Sequence, residues 1–374
     1  MGFLDFLKGK SRSKPHDMMR SLSVELKDLP SSGNVQALNI SDEECNELEN
    51  YLAAACAGTT ANVYIKKHPK PDEIEKCLSN AENSDIMIHI ANKITVLEPE
   101  TRRIVCAIWG YLLKMEHPKS FQRPMVEYLT RHLSTMDALI QCYGKNTGGA
   151  DVTIGVMIRD ATRFQKVIDY VFKKNLVLSL LPVLTSANFD VSADAFQTLK
   201  EMLTNHKEVS APWLSRHFDK FFEEYMKPLK AGSDYVTVRQ SLSILSTILL
   251  DRQFMDAMIQ FVAKEEYLKA ILILLGNSSK VVQFEAFHIF KIFAANPNKT
   301  LKIKKLLVQN YERIVKLLDH IEQYRAEDSE FRQDKTAVVA KLQSLTERSK
   351  NDSVASKKPP IQGSDSLPHV YQVS

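Results

Sequence analysis

Residues 234–254, DYVTVRQSLSILSTILLDRQF, and residues 281–300, VVQFEAFHIFKIFAANPNKT, decide how this chain folds. In the first, Val238, Leu242, Leu245 and Leu249 recur at three- and four-residue intervals, the period that gathers side chains on one face of an α-helix. Tyr235, Arg239 and Ser243 are spaced by four and share a different face. In the second, Phe284, Phe287, Phe290 and Phe293, with Ile289 and Ile292, cover more than one stripe. A helix that apolar is either the inner helix of a stack or one wall of a groove. In a superhelix of repeats an inner helix also lines the concave face, so the two readings are compatible. The stretch reads as a pair of stacked helical repeats with a recognition groove.

The same period extends outward in both directions. Towards the N-terminus come PDEIEKCLSNA, DIMIHIANKITVL and EPETRRIVCAIWGYLLK, beginning at residues 71, 85 and 98. In the last, Ile104, Ile108, Tyr111 and Leu112 share a stripe, with Glu100, Arg102 and Arg103 in the first turn. Helices are expected at Pro15–Leu29 and, behind a Ser41/Glu44 capping box, from Ser41 to Gly58. Others are expected near Gln165–Lys173, Ala193–Leu203, Leu214–Leu229, Tyr235–Leu250, Lys302–Gln323 and Glu330–Thr346. None of these short helices can bury its own stripe alone, and the unit returns every forty or so residues, as in armadillo and HEAT arrays. The expected fold is all-α, an armadillo/HEAT-like α-solenoid wound as a right-handed superhelix. Its expected parts are a flexible aromatic and basic N-terminus over 1–14, one repeat domain over 15–348, and a disordered Ser-, Pro- and Lys-rich tail over 349–374.

Composition supports this class. With 12 glycines and 14 prolines in 374 residues, the chain lacks the turn formers that sandwiches, barrels and βαβ enzymes require. Forty-nine Lys and Arg against 45 Asp and Glu leave a formal charge of +4, too dilute for a phosphate-binding face. Five cysteines, never spaced C-x-x-C, read as small buried hydrophobes in a reducing compartment. The N-terminal MGFLDFLKGK does not fit a signal peptide, and Phe6 stands where a myristoylation signal needs Ser or Thr. The longest apolar run, near Leu176–Leu184, is far short of a membrane span. A cytoplasmic protein without stable membrane insertion is expected.

Catalytic constellations are missing from the sequence. No H-x-x-x-H pair, EF-hand loop, G-x-S-x-G elbow or kinase signature occurs, and His288 reads as an ordinary helix histidine. The glycines of Gly144–Gly149 lie beside Lys145 and Thr147 but lack the phosphate-loop order and a preceding strand, so they read as an inter-helix loop. A binding protein is expected, with no catalytic residue, metal or cofactor. Spacing alone leaves Arg239 open: beside Tyr235 it can hold a carboxylate bidentately, or it can be a solvated cation.

The segments VSADAFQTLKEMLTNHK (191–207), HFDKFFEEYMKPL (217–229), 235–254 and 283–300 resemble the calcium-binding protein 39 family, also called mouse protein 25. The likeness is close from Ala187 to Thr300 and weaker back through GVMIRDATRF. It implies a non-catalytic armadillo-like scaffold. The concave face would grip a protein kinase or pseudokinase of the sterile-20 type and favour its active arrangement, while a C-terminal pocket accepts a Trp-Glu-Phe-like tail. Fungal and protozoan relatives are implied to serve nuclear Dbf2-related kinases in polarity and cytokinesis. On the same resemblance, Tyr235 and Arg239 match tail-pocket residues, Leu272 replaces a methionine there, and Ser243 replaces a lysine. Arg252 matches a basic residue of the kinase-facing surface. The aromatic after it aligns with Met255, with Phe254 one place early, and Phe189 matches another concave aromatic. No nucleic-acid partner is implied. The alternative reading is a nucleic-acid-binding repeat, resting on Lys66, Lys67 and Lys70 and on Lys302, Lys304 and Lys305. A third reading recruits residues 1–14 to a membrane surface.

Overall fold

The computed structural model describes residues 14–30, 38, 40–57, 69–145, 147–229, 234–325 and 327–355. Both Lys66 and Lys67, the N-terminal segment 1–13 and the tail from 356 lie outside them. The chain divides into two compact units, Met1–Met258 and Ile259–Ser374.

In the first unit the helices are α1 (Pro15–Asp28), α2 (Asp42–Ala57), α3 (Pro71–Asn83), α4 (Ile86–Lys93), α5 (Pro99–Lys114), α6 (Pro124–Arg131) and α7 (Ser134–Cys142). They continue as α8 (Asp151–Thr162), α9 (Gln165–Lys173), α10 (Phe189–Asn205), α11 (Lys207–Arg216), α12 (Phe218–Tyr225) and α13 (Tyr235–Leu249). Three ladders of packed elements run through them: α2, α5, α8, α10 and α13; α1, α4, α7, the 3-10 segment Leu176–Thr185 and α12; and α3, α6, α9 and α11. From α6 on, each element touches its counterpart roughly 40 residues further along, the signature of a three-helix armadillo-type repeat, while the steps that start from α1 to α5 are wider, about 50 to 70 residues. The unit is an all-α helical-repeat solenoid.

Helix α14 (Met255–Ala263) contains the division between the units. The second unit holds α15 (Glu265–Leu275), α16 (Lys280–Ala295), α17 (Leu301–Gln309), α18 (Tyr311–Gln323) and α19 (Ser329–Ala355), with α16 packed on α15, α18 and α19. Phe287, Phe290, Phe293 and Ile289 of α16 are buried, so the phenylalanine-rich helix is the inner one. No helix among the described residues is long and apolar enough to cross a membrane.

Several boundaries differ from expectation, each for a local reason. Helix α10 opens four residues early because Asn188 caps it, its side-chain oxygen accepting from the N–H groups of Asp190 (3.0 Å) and Val191 (3.3 Å). The helix expected over Leu214–Leu229 breaks at His217, and the one over Lys302–Gln323 breaks at Asn310, whose amide turns back to the Leu306 carbonyl at 2.8 Å. Helix α19 runs on to Ala355, into the expected tail. The apolar run, to which the sequence reading assigns no helix, forms a 3-10 segment, Leu176–Thr185, that contains Pro182.

Polar groups tie the rungs together. The indole N–H of Trp109 on α5 donates to the Met157 carbonyl on α8 (3.2 Å), and the Tyr225 hydroxyl donates to the Ser241 carbonyl (2.8 Å). Arg159 on α8 pairs with Asp194 on α10 at 2.7 Å, and Asp194 also accepts the Tyr143 hydroxyl at 2.5 Å. The glycine loop is closed internally: the buried Asp151 carboxylate accepts the N–H groups of Gly144 (2.8 Å) and Thr147 (3.3 Å). A phosphate would have to displace that carboxylate. Beside it Arg102, which the sequence places in the first turn of a helix, is buried and donates to the carbonyls of Leu97 (2.7 Å) and Gly148 (3.3 Å).

Candidate functional site

The site is built by caps that aim side chains outward. Asp234 caps α13 by accepting the Thr237 N–H at 2.9 Å, and hydrogen bonds from Thr237 hold its carboxyl below the usual range. The cap fixes the helix phase. Val238, Leu242, Leu245 and Leu249 are buried as the spacing requires, while Tyr235 is 46% exposed and Arg239 is exposed one turn on. Ser243 is only partly exposed, its carbonyl receiving the hydroxyls of Ser246 (3.0 Å) and Thr247 (2.8 Å). Among the described residues, Tyr235 and Arg239 present an aromatic ring and a guanidinium to solvent one turn apart.

The next turn is a 3-10 segment, Arg252–Phe254, capped by Asp251, which accepts the Gln253 N–H at 2.9 Å and the Lys207 ammonium at 2.6 Å. Those bonds, the Lys207 one first, lower the Asp251 pKa. The tight turn sends Arg252 out to solvent and Phe254 in, so Phe254 is 1% exposed whereas Met255 is 49% exposed. Phe254, expected among the partner-binding residues, instead turns its ring into the core, and Met255 is the exposed apolar side chain beside Arg252. Phe189, the first residue of α10, is 61% exposed, held out by the Asn188 cap.

Leu272 belongs to the second unit. There it lines a cleft of about 250 Å³ with Lys269 and Ile273 of α15, Leu306 and Asn310, and Arg313, Ile314 and Leu317 of α18. Lys269 is already paired with Glu265, whereas Arg313 is exposed and has no acidic partner among the described residues. The cleft offers an apolar lining for one or two side chains and a cation at its edge. Sequence reading reached only Leu272. Arg313 and Ile314 were visible as neighbouring polar and apolar positions on an amphipathic helix, but no single-helix period shows which helix lies opposite. Among the described residues no three His, Cys, Asp or Glu side chains converge on a metal-sized position. The cysteines are unpaired, and burial pushes Cys45, Cys77 and Cys106 up to about 12, which keeps them as thiols.

Fold and surface together define a helical-repeat protein that presents exposed aromatic, apolar and basic side chains for binding. The Mo25-like family profile matches residues 6–346, and the chain belongs to that family. It is 27% identical over 336 residues to human "Calcium-binding protein 39-like", covering 90% of this chain and 96% of that protein. It is 28% identical over 342 residues to the "Mo25-like protein" of Schizosaccharomyces pombe, covering 91% and 100%. A "Putative MO25-like protein" of Arabidopsis thaliana is 37% identical over 219 residues, covering 59% and 63%. Among solved structures, a designed armadillo repeat protein aligns with a TM-score of 0.41 at 11% identity, covering 75% of this chain and all of that one.

Proposed function

We propose that this chain is a non-catalytic scaffold that binds a protein kinase or pseudokinase and stabilises its active conformation. The family assignment, with a general scaffold role, carries the reading, and the exposed Phe189, Arg252 and Met255 supply side chains of the kind that anchor protein interfaces. Tyr235 and Arg239 are assigned to a short tail motif containing an aromatic ring and a carboxylate. Leu272, with the cleft around it in the second unit, is assigned separately to an apolar side chain of the partner. The partner is placed among sterile-20-type or nuclear Dbf2-related kinases, acting in the cytoplasm in polarity and cytokinesis. Activation then follows from population shift. The scaffold favours the active arrangement only by its differential affinity, about 1.4 kcal/mol for each tenfold change in the equilibrium.

Cross-linking affinity purification from the source cells, with mass-spectrometric partner identification, tests this. Recovery of a kinase or pseudokinase whose capture is reduced by Met255→Asp and Phe189→Asp is expected. Preparations free of any kinase-fold partner would overturn it.

A further inference from the structure

Besides the Leu272 cleft the second unit holds another cavity, which shares Lys304 and Lys305 with the basic cluster named above but contains none of the residues assigned to kinase or tail binding. It is a trough of about 1070 Å³ between the C-terminal end of α16, the length of α17 and residues 340–349 of α19. Its lining carries five cations, Lys299, Lys304, Lys305, Lys341 and Arg348, and no aspartate or glutamate. Among the described residues none of the five has an acidic ion-pair partner, although the chain as a whole is nearly charge-balanced. Lys299 is the one that is engaged: its ammonium donates to the carbonyls of Ala294 (3.0 Å) and Asn296 (2.5 Å) at the end of α16. Burial first, and repulsion from Lys341 and Lys304 second, hold that ammonium below the usual lysine range. The cations are thus close enough to work against one another, and an anion in the trough would relieve them.

The apolar part of the lining is aliphatic, and Asn296, Gln309, Ser344 and Ser349 complete it with neutral polar side chains. Leu301, 83% exposed, and Val308 lie along α17, with Ala340 and Leu345 on α19. On α19 the lining positions Ala340, Lys341, Ser344, Leu345 and Arg348 follow helical spacing, so one continuous face about 13 Å long looks into the trough. Two helices that present apolar residues rimmed by cations form a seat for a third helix of opposite charge. We propose that this trough binds an acidic amphipathic helix of a partner protein, about two to three turns long, with aliphatic side chains on Leu301, Val308 and Leu345 and carboxylates facing Lys304, Lys305, Lys341 and Arg348.

Charge complementarity selects the partner's chemistry. The chain's own C-terminal residues 356–374 carry Lys357 and Lys358 against a single acid, Asp365, so they would add to the repulsion. Nucleic acid would satisfy the cations but leave the aliphatic floor unused, and the lining has no aromatic ring on which a base could stack. The proposal is independent of the kinase assignment, because it concerns different residues and a different kind of ligand.

The test is fluorescence anisotropy of the full-length chain with a labelled 12-residue synthetic peptide that has one glutamate-rich and one leucine-rich helical face. Binding is expected to weaken at least tenfold in Lys304→Glu/Lys341→Glu, severalfold in Leu301→Ser, and steeply between 50 and 300 mM salt. Both sets of positions are exposed, and an unchanged circular dichroism spectrum confirms folding. Should the charge-reversed variant unfold, Lys305→Ala/Arg348→Ala is read instead. No peptide binding, equal binding by the variants, or equal binding of a scrambled peptide of the same composition overturns the proposal. So does tighter binding of a 12-nucleotide single strand or of anionic vesicles that the same substitutions abolish.

Discussion

Gly155 stands in the middle of α8, where replacing glycine by alanine ordinarily stabilises a helix by about 1 kcal/mol. Here the substitution is expected to do the opposite. A Cβ at this position would lie 1.7 Å from the Asp194 carboxylate oxygen, 2.7 Å from its Cγ and 3.0 Å from the Tyr143 hydroxyl. Asp194 is almost wholly buried and is pinned by Arg159 at 2.7 Å and Tyr143 at 2.5 Å, so its carboxylate cannot swing aside without abandoning both. Breaking such a buried pair costs about 3–5 kcal/mol, because the guanidinium is left without its counter-charge. Set against the propensity gain, Gly155→Ala should destabilise the chain by about 2–4 kcal/mol, a fall of about 5–10 °C in the thermal midpoint. Circular dichroism melts and urea titrations measure it. A double-mutant cycle isolates the cause: in an Asp194→Ala background the penalty should vanish, since the clashing carboxylate is gone. Parent-like stability of Gly155→Ala, or the same penalty in both backgrounds, would refute the reasoning.

Four further outcomes are expected. Arg239→Ala should weaken binding of a Trp-Glu-Phe-type tail peptide by about 1.5–3 kcal/mol, the worth of a charge-assisted hydrogen bond, in an anisotropy titration, with the melt unchanged because Arg239 is exposed. Met255→Asp with Phe189→Asp should reduce kinase capture without lowering the melting temperature, whereas Phe254→Ala should cost about 3–5 kcal/mol of stability in urea unfolding because its ring is in the core. Asp151→Ala should destabilise by about 3 kcal/mol in the same assay, since it strips the acceptor from the Gly144 and Thr147 N–H groups and a counter-charge from buried Arg102. Burial, and then Lys291, hold the His288 pKa below its ordinary 6.5, outweighing Glu285, Asp334 and Glu330. The unfolded chain therefore takes up this proton first. The histidine's contribution is intact above about pH 6.5 and is lost as pH falls below it. His288→Gln should flatten the decline in urea midpoint between pH 7.5 and 5.5.

Much of the fold could be read directly because helical period is a local property. The α9 limits and the start of α13 agree with the pattern, and the buried stripe Val238, Leu242, Leu245 and Leu249 follows from it. What was not legible depends on contacts between segments. Nothing in EPETRR marks Arg102 as buried, because its partners are carbonyls at residues 97 and 148. Nothing in DRQFM separates Phe254 from Met255 until the Asp251 cap imposes a 3-10 turn that rotates the first ring inward. At 217 and 310 the apolar period continues through a helix break, so pattern alone joined helices that the backbone separates. The candidate site was read in part for the same reason: Tyr235 and Arg239 share one helix face, whereas most companions of Leu272 come from outside its own helix, from residues 306–317.

The 3-10 rung has a consequence for how the first unit opens. At about 2.0 Å per residue, the ten residues Leu176–Thr185 reach about 20 Å, whereas the eight-residue α4 and α12 of the same ladder reach about 12 Å each. The added reach is obtained by drawing out the backbone, with poorer hydrogen-bond geometry and a proline that donates none. In an array whose elements lean only on their neighbours, the cooperative unit for unfolding is set by its weakest seam. The first unit is expected to lose register first at this segment, which amide hydrogen exchange across Leu176–Thr185 would report.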